Sequence, residues 1–254
     1  MAGYRHSFLK GKCKDGEDKL YASGNNKFGQ LALSDNQDRV QWTKVIIPSE
    51  FKLEKVIAGG FHTFLKVTVG GEDKLYACGK NWEGQLGLGD TTNRAEWTKV
   101  PVPQGFSVEK VRTDYMHTFL KGKGKDGEDN LYACGRNWEG QLGLGNTNNR
   151  SRWTKVPFPK DFSIEKVIAG GYHSFLKGKG KDGEDKLYAC GNNYNGQLGL
   201  GNTTDRGQWT EVPIADLLKK SQENVNDLKQ DADVSEASGS SSFSMGLNPR
   251  DCIF

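Results

Sequence analysis

Long hydrophobic runs are missing from this sequence of 254 residues. No run approaches the roughly 18 apolar residues that a membrane-spanning helix needs, so we expect no such helix. The first seven residues, Met1 to Ser7, also lack the apolar centre of a secretory signal, so we expect no export through a cleaved signal peptide. These absences lead us to expect a cytoplasmic or nuclear protein.

Cysteine is scarce, and its number, five, is odd. Cys78, Cys134 and Cys190 recur at one position of an internal repeat, where Ser23 stands in the first copy. Equivalent positions on successive copies would not normally face each other, so we expect small buried strand residues rather than disulfides. A reducing compartment follows from this interpretation.

Recognisable catalytic motifs are missing as well. The sequence has no nucleophile elbow, no phosphate-binding loop and no Cys-x-x-Cys pair. Acidic residues mostly occupy turns such as Asp126 to Asp129, where nearby lysines almost balance their charge. We interpret these turns as hairpin ends rather than calcium or phosphate sites, and we expect no cofactor and no bond-making active site.

A concentrated basic charge is also missing. The net charge is +3, and residues 214–254 hold four basic and seven acidic residues, 4 − 7 = −3, which leaves +6 on the remainder. That charge is mild and evenly spread, whereas duplex-binding proteins concentrate theirs on one face. The sequence therefore gives no strong signal for nucleic-acid binding.

What the sequence does have is a repeat of about 55 residues. All four histidines, at 6, 62, 117 and 173, are separated by 56, 55 and 56 residues. Tryptophans 42, 97, 153 and 209 repeat with steps of 55, 56 and 56. Two independent markers with one spacing establish the period.

Each copy divides into four short extended segments. In the last full copy these are residues 153–157, 163–168, 173–177 and 187–190, and Asp182-Gly183 supplies a hairpin turn between the last two. Helical spacing is absent from the repeat. The pattern predicts an all-β protein, a β-propeller of about four four-stranded blades over residues 1–213.

The chain starts inside one copy, at His6, and the repeats end inside another, at Pro213. Such an offset lets strands from the two ends share one blade, which protects sheet edges. The four copies would close as a small propeller or remain an open arc, and we favour the closed form.

The motif Asn137-Trp138-Glu139-Gly140-Gln141-Leu142-Gly143-Leu144-Gly145 recurs at 81–89 and, with variation, at 193–201 and 26–33. Together with Ala-Gly-Gly-x-His and Leu-Tyr-Ala-Cys-Gly, it resembles the regulator-of-chromosome-condensation repeat family. The resemblance covers residues 2–213. It implies a propeller that binds proteins, although family propellers usually have seven blades.

The repeated histidines and tryptophans have a structural interpretation. We expect His6, His62, His117 and His173 to be buried hydrogen-bonding residues that recur because the blade recurs, with a metal site as the alternative. Our prediction assigns no metal ligands. The four tryptophans Trp42, Trp97, Trp153 and Trp209 are expected to hold blades together.

One copy departs from its sisters in a loop. Where copies two and four have Ile-Ala-Gly-Gly-Phe/Tyr-His, the third copy has Arg112, Asp114, Tyr115 and Met116 before His117. Neutral drift is one explanation, and a partner-binding patch is the other. Family members that catalyse nucleotide exchange use loops on one face with acidic residues near this position, so the resemblance favours Asp114, with Arg112 and Tyr115 beside it.

The tail has a different character. Apolar residues at helical spacing predict an amphipathic helix over residues 214–230, and residues 231–254 are typical of a flexible tail. Cys252 lies one residue short of the position that a prenylation signal requires. Membrane attachment is expected only if Cys252 is lipidated.

Two functions follow. The first is regulation of a small GTPase, most plausibly as a Ran-type guanine-nucleotide exchange factor; against it, family exchange factors insert a β-wedge for which these uniform repeats have no room. The second is a non-catalytic interaction scaffold, including the case of a bacterial effector that imitates a host regulator in the host cytoplasm.

Overall fold

The described structure consists of antiparallel β-sheets. It is a computed structural model that describes residues 1–12 and 18–214. In this part of the chain fifteen strands form four sheets, and within each sheet the strands pair in their sequence order. The predicted all-β class is confirmed.

The bounds of the strands repeat from sheet to sheet. The first sheet contains β1 (His6–Lys12), β2 (Asp18–Gly24) and β3 (Arg39–Val45). The second contains β4 (Lys52–Ala58), β5 (His62–Val69), β6 (Glu72–Gly79) and β7 (Arg94–Lys99). The third contains β8 (Ser107–Thr113), β9 (His117–Lys123), β10 (Asp129–Gly135) and β11 (Arg150–Lys155). The fourth contains β12 (Ser163–Ala169), β13 (His173–Lys179), β14 (Asp185–Gly191) and β15 (Arg206–Glu211).

The first strand of each complete sheet contains a β-bulge. In β12 the register shifts between Ile164 and Lys166, and equivalent shifts occur in β4 and β8. A bulge opposes two residues to one on the partner strand, so Ile164 and Val167, three positions apart, are both buried. The simple alternation of buried and exposed residues therefore breaks at this point.

The hydrophobic core is divided among the junctions between successive sheets. Each junction buries apolar residues of two sheets and receives one tryptophan: Trp97 at the first, Trp153 at the second and Trp209 at the third. The first strands also lie close to one another, β4 beside β8 and β8 beside β12. Side-chain burial is thus shared between neighbouring sheets, as in repeat proteins whose units cannot bury their faces alone.

The predicted sharing of one blade between the chain ends is wrong for the described residues. The first sheet has three strands, all from the N-terminal copy, and β15 is the edge strand of the fourth sheet. Next to β1, where a complete sheet has its first strand, the described residues place only Met1 and Ala2: Ala2 pairs with Ser7, and the Phe8 N–H donates to the Met1 carbonyl oxygen at 2.8 Å. Because β15 corresponds to a last strand, it has no matching place there.

The chain divides into two compact units, Met1–Val212 and Pro213–Phe254. The predicted helix over 214–230, apart from Ile214, and the tail over 231–254 with Cys252 lie outside the described residues. Among residues 1–12 and 18–214, no helix has the length and apolar character that a membrane crossing requires.

Candidate protein-binding face

The repeated histidines lie at the junctions between sheets. At each of three junctions, a histidine Nε2 lies within hydrogen-bonding distance of the hydroxyl that follows the next copy's histidine. The pairs are His6–Thr63 at 2.8 Å, His62–Thr118 at 3.0 Å and His117–Ser174 at 2.9 Å. His173 belongs to the fourth sheet and is only partly buried.

The hydroxyls determine the tautomer of these histidines. Thr63 donates its proton to the carbonyl oxygen of Gln30 at 2.9 Å, and Thr118 and Ser174 make the equivalent bonds to Gln85 and Gln141. Since a hydroxyl has one proton, Nε2 of each histidine must be the donor in the bond between them. Burial lowers the pKa of His6 to about 4 and those of His62 and His117 to about 3, so these rings are neutral.

Three of the four repeated tryptophans lie at the same junctions; the exception is the first tryptophan, Trp42. The ring centroids of Trp97, Trp153 and Trp209 lie 6.2, 6.3 and 6.2 Å from those of Phe8, Phe64 and Phe119 in the preceding sheets. At the second junction the indole lies so close that a Cβ at Gly87 would be 2.4 Å from Trp153, whereas the first junction has Ala32 at the equivalent position beside Trp97. Trp42 belongs to the first described sheet, packs against no other described sheet and is 50% exposed.

In the loop where the third copy differs from its sisters, the predicted partner-binding residues have different surroundings. Arg112 lies at the end of β8, where its guanidinium donates to the carbonyl oxygen of Val111 at 3.2 Å. Asp114 is partly buried against Gly60, whose N–H donates to the Asp114 carbonyl oxygen at 2.6 Å. Burial raises the pKa of the Asp114 carboxyl. Arg112 and Asp114 therefore do not form a pair, and Met116 is partly buried before His117.

Tyr115 belongs to a continuous series of aromatic rings. Its centroid lies 5.2 Å from Phe61, 5.9 Å from Tyr4 and 5.7 Å from Tyr172. Phe28 extends the series, 5.7 Å from Phe61 and 5.2 Å from Trp82. These edge-to-face distances lie within the range of stabilising aromatic pairs. The rings come from all four copies.

Two cations are placed among these rings. Lys80 Nζ lies 4.7 Å from the Trp82 centroid, 5.2 Å from Phe28 and 5.6 Å from Phe61. Arg136 lies 4.3 Å from the centroid of Trp138 and 4.8 Å from that of Tyr172. The distances of both cations from these ring centroids are typical of cation–π contacts. We call the whole set the aromatic strip: Tyr4, Phe28, Phe61, Lys80, Trp82, Tyr115, Arg136, Trp138 and Tyr172.

The two cations of the strip, Lys80 and Arg136, differ in whether a carboxylate is bonded to them. Burial lowers the pKa of the Lys80 ammonium, which Glu83 only partly opposes. Arg136 donates two hydrogen bonds to the Glu139 carboxylate, at 2.6 and 3.1 Å, which raises the pKa of Arg136. Arg136 is thus fixed by a bidentate pair, while Lys80 is held mainly by rings.

Sequence reasoning found one ring of the strip and missed the others. Trp82 and Trp138 fall inside the repeated nine-residue motif, whose recurrence indicates the family and does not by itself indicate a binding surface. Their signal was exposure: they are 59% and 58% exposed, unlike the junction tryptophans. Large exposed aromatics in a repeated position indicate a surface that binds something.

Metal ligands do not gather in the described residues: no three His, Cys, Asp or Glu side chains of 1–12 and 18–214 come together. Cys78, Cys134 and Cys190 are free and buried, each with its thiol 3.4 Å from a glutamine carbonyl oxygen.

With this architecture established, the comparisons identify its family. The sequence profile of the regulator of chromosome condensation (RCC1) repeat matches residues 72–120, 128–176 and 184–247. The chain belongs to the RCC1 repeat family. The resemblance inferred from the repeated motif is confirmed.

Relatives of this family are known from several organisms. The ultraviolet-B receptor UVR8 of Arabidopsis thaliana is 30% identical over 194 residues, which are 76% of this chain and 41% of UVR8. The X-linked retinitis pigmentosa GTPase regulator of Canis lupus familiaris is 35% identical over 179 residues, 70% of this chain and 16% of that protein. The chain therefore spans well under half the length of these relatives.

A solved structure shows the fold. The structure of Prp20p from Saccharomyces cerevisiae, described with its binding to Gsp1p and histones, superimposes with a TM-score of 0.61 at 19% identity. The superposition covers 83% of this chain and 49% of Prp20p. The predicted β-propeller class is confirmed, and the four sheets are its blades.

Proposed function

We propose that this protein binds a small GTPase through the aromatic strip and the adjoining Asp114 loop, and that it acts as a Ran-type guanine-nucleotide exchange factor. The observation behind the proposal is the strip itself, which is continuous across four blades and holds two cations. Tyrosine, tryptophan and arginine are the residue types that contribute most to protein–protein binding energy. Membership of the RCC1 repeat family directs the proposal towards GTPases.

Asp114 gives the strip an acidic neighbour. Its carboxyl lies partly out of water, and the only perturbation of its pKa is the rise caused by burial. A lysine, an arginine or a bound Mg²⁺ ion brought near by a partner would therefore gain a carboxylate that lacks a cation of its own. This requirement fits the phosphate-loop region of a GTPase, where a lysine and Mg²⁺ hold the nucleotide.

The mechanism requires differential affinity alone. A factor that binds the nucleotide-free GTPase more tightly than the nucleotide-bound form accelerates release of the nucleotide, with no covalent step. The chain would dock rigid rings on the switch region and withdraw stabilisation from the nucleotide and Mg²⁺.

The proposal is tested by release of a fluorescent guanine nucleotide from Ran. Catalytic amounts of the purified chain should accelerate release, and Asp114→Asn should reduce the acceleration at least ~10-fold, a loss of about 1.4 kcal/mol. The matched control is Asp126→Asn, an exposed carboxylate at the opposite end of β9. Absence of acceleration on Ran and on a panel of related GTPases would overturn exchange activity.

A non-catalytic scaffold is the second candidate function. The observation that favours it is the uniformity of the described blades, whose strands account for every sheet without an additional protruding hairpin. In that case the strip would hold a partner that is retained by the wild type and lost with Trp82→Ala, while nucleotide release from GTPases stays unchanged. We place the protein in the cytoplasm or nucleus, or in the host cytoplasm if it is an effector.

A further inference from the structure

The four blades meet through one interface that is used three times. We call the side of a blade that faces the preceding blade its leading face, and the side that faces the following blade its trailing face. The leading face supplies a tryptophan, a hydroxyl and a backbone carbonyl oxygen. The trailing face supplies a histidine, a phenylalanine and a glycine-rich loop.

A backbone hydrogen bond fixes each of these junctions. An N–H of the trailing glycine-rich loop donates to the carbonyl oxygen two residues before the leading tryptophan. The three bonds are Ser34 to Ala95 at 3.0 Å, Gly89 to Ser151 at 2.8 Å and Gly145 to Gly207 at 2.8 Å. The same atoms recur at every junction, so the interface is specified by position and not by one particular pair of side chains.

Among residues 1–12 and 18–214, no blade packs against the leading face of the first blade. Trp42 is 50% exposed, and Val40, the counterpart of Ala95, is 99% exposed. The indole nitrogens of Trp97, Trp153 and Trp209 are buried by comparison. Ser7, which corresponds to the fully buried Thr63, is also only partly buried. Every component of a leading face is thus present and unpacked.

Within the described part of the chain, the trailing face of the fourth blade is uncovered in the complementary way. No hydroxyl of the described residues approaches the His173 ring, and Phe175 is only partly buried where Phe119 is fully buried. A Cβ at Gly196 would meet nothing within 4 Å, whereas one at Gly84 would lie 2.4 Å from the Ser151 Cα. The glycine-rich loop 196–201 has the shape that receives a tryptophan and holds none.

We propose that these two faces bind each other between two copies of this chain, head to tail. Trp42 of one copy would enter the loop 196–201 of the other, His173 would donate to the Ser7 hydroxyl, and the N–H of Gly201 would donate to the Val40 carbonyl oxygen. Another copy is the appropriate occupant because the two faces are the two halves of the interface that this chain forms internally three times.

The first blade has Val40 at the position where the second blade has Ala95, and this difference is compatible with the proposed contact. At the first junction the atoms that approach Gly29 most closely are the Cα and N of Ala95 and the carbonyl oxygen of Arg94. Arg39 and Val40 supply the same backbone atoms. The contact therefore depends on a strand backbone and on a glycine opposite it, and both are available.

Head-to-tail contact is heterologous, so it leaves one free face at each end unless a ring closes. The contact surface lies on the sides of the outermost blades, and the aromatic strip lies across all four. Self-association is consequently independent of the proposed GTPase binding, and either can fail alone.

The first test measures the mass of the full chain by sedimentation equilibrium over a range of concentrations. We expect dimers or larger multiples that dissociate to monomer on dilution. Trp42→Ala should weaken association at least ~30-fold, as for a central interface tryptophan. Trp138→Ala is the control, since this tryptophan is exposed to a similar degree but lies outside both faces. A wild type that stays monomeric, or a Trp42→Ala variant that associates like it, overturns the proposal.

The second test distinguishes head-to-tail contact from any other form of self-association. Gly199→Asn places a side chain where the tryptophan should enter, at a positive φ that asparagine tolerates. Trp42→Ala retains an intact trailing face and Gly199→Asn retains an intact leading face. Each variant alone should be monomeric, and their mixture should form a one-to-one heterodimer that grows no further, as resolved by native mass spectrometry. A mixture without heterodimers contradicts the head-to-tail arrangement.

Discussion

Three imidazole rings are buried at positions where a protonated, positively charged ring would have no access to water. Each of His6, His62 and His117 is buried, and its Nε2–H is committed to a hydroxyl of the next blade. Protonation would place a charge on a ring whose other nitrogen, Nδ1, has no partner among the described residues. The neutral state is therefore part of what holds neighbouring blades together.

This arrangement predicts a loss of stability in mild acid. In the unfolded chain these histidines titrate near 6.5, whereas burial lowers the pKa of His62 to about 3 in the fold. Between these values the unfolded state binds more protons, so the free energy of unfolding falls as pH decreases. Three such groups give a slope of up to about 4 kcal/mol per pH unit. Urea unfolding at a series of pH values measures it.

A matched pair of variants assigns the effect to burial. His62→Gln removes one of the three titrating groups and should reduce the slope by about a third. His173→Gln changes the equivalent histidine of the fourth blade, which is only partly buried, and should reduce it less. Equal slopes in the wild type and in His62→Gln would refute the assignment.

Individual residues of the aromatic strip could be recognised from the sequence where the copies differ, but not where the copies agree. Tyr115 was recognisable because its counterparts in copies two and four are glycines, at 60 and 171, although the first copy also has a tyrosine there, Tyr4. Lys80 and Trp82 were not, because Lys80 directly precedes, and Trp82 lies within, a motif that also contains buried residues such as Asn81 and Gln85. Exposure within a repeated motif depends on which side of the strand end a residue occupies, and the period alone does not contain that information.

The glycine-rich loop is the element that determines how closely two blades approach. At the second junction the loop touches backbone, so any side chain at Gly84 would collide with β11. In the fourth blade a Cβ at the equivalent Gly196 would meet no atom of the described residues within 4 Å. The same turn thus serves two purposes, conformational freedom at every copy and close approach only at the junctions.

A pair of glycine substitutions separates these purposes. Gly84→Ala and Gly196→Ala both place a side chain at a positive φ, which costs about 1–2 kcal/mol. Only Gly84→Ala adds a collision with backbone, which should cost about 2 kcal/mol more. Chemical unfolding of both variants at low protein concentration checks the difference. Equal losses of stability would show that the collision is relieved and that the junction is softer than the structure indicates.

The strands themselves were largely predictable, and their partners were less so. The segment predicted at residues 163–168 is β12, and the turn at Asp182-Gly183 joins β13 and β14. Short-range alternation and turn residues are sufficient for such elements. The shared blade is not found among the described residues, because pairing of distant strands depends on which edge is open: β15 is a last strand, and the open edge of the first sheet is on the first-strand side of β1.

The whole set of blades behaves as a row in which each blade is supported by its neighbours. The second and third blades have two junctions each, whereas the first and fourth have one. In such an array stability is approximately the sum of the units and of the contacts between neighbours. The outer blades should therefore open at a lower free energy than the inner ones.

Hydrogen exchange followed by mass spectrometry tests this gradient. We expect the amides of β5 and β9, in the inner blades, to exchange more slowly than those of β1 and β13, their equivalents in the outer blades. Dilute protein is the condition for the comparison, and raising the concentration should slow exchange in β1 and β13 if the outer faces associate. Uniform protection across all four blades would contradict the gradient.

The six tryptophans divide into two populations that report on different events. Trp97, Trp153 and Trp209 are partly buried between blades with their indole nitrogens out of water, while Trp42, Trp82 and Trp138 are about half exposed. Buried indoles fluoresce at shorter wavelength than solvated ones, so the tryptophan fluorescence of the chain reports on both populations. Separation of blades would shift its emission to the red, and a molecule settling on Trp82 and Trp138 would shift it to the blue.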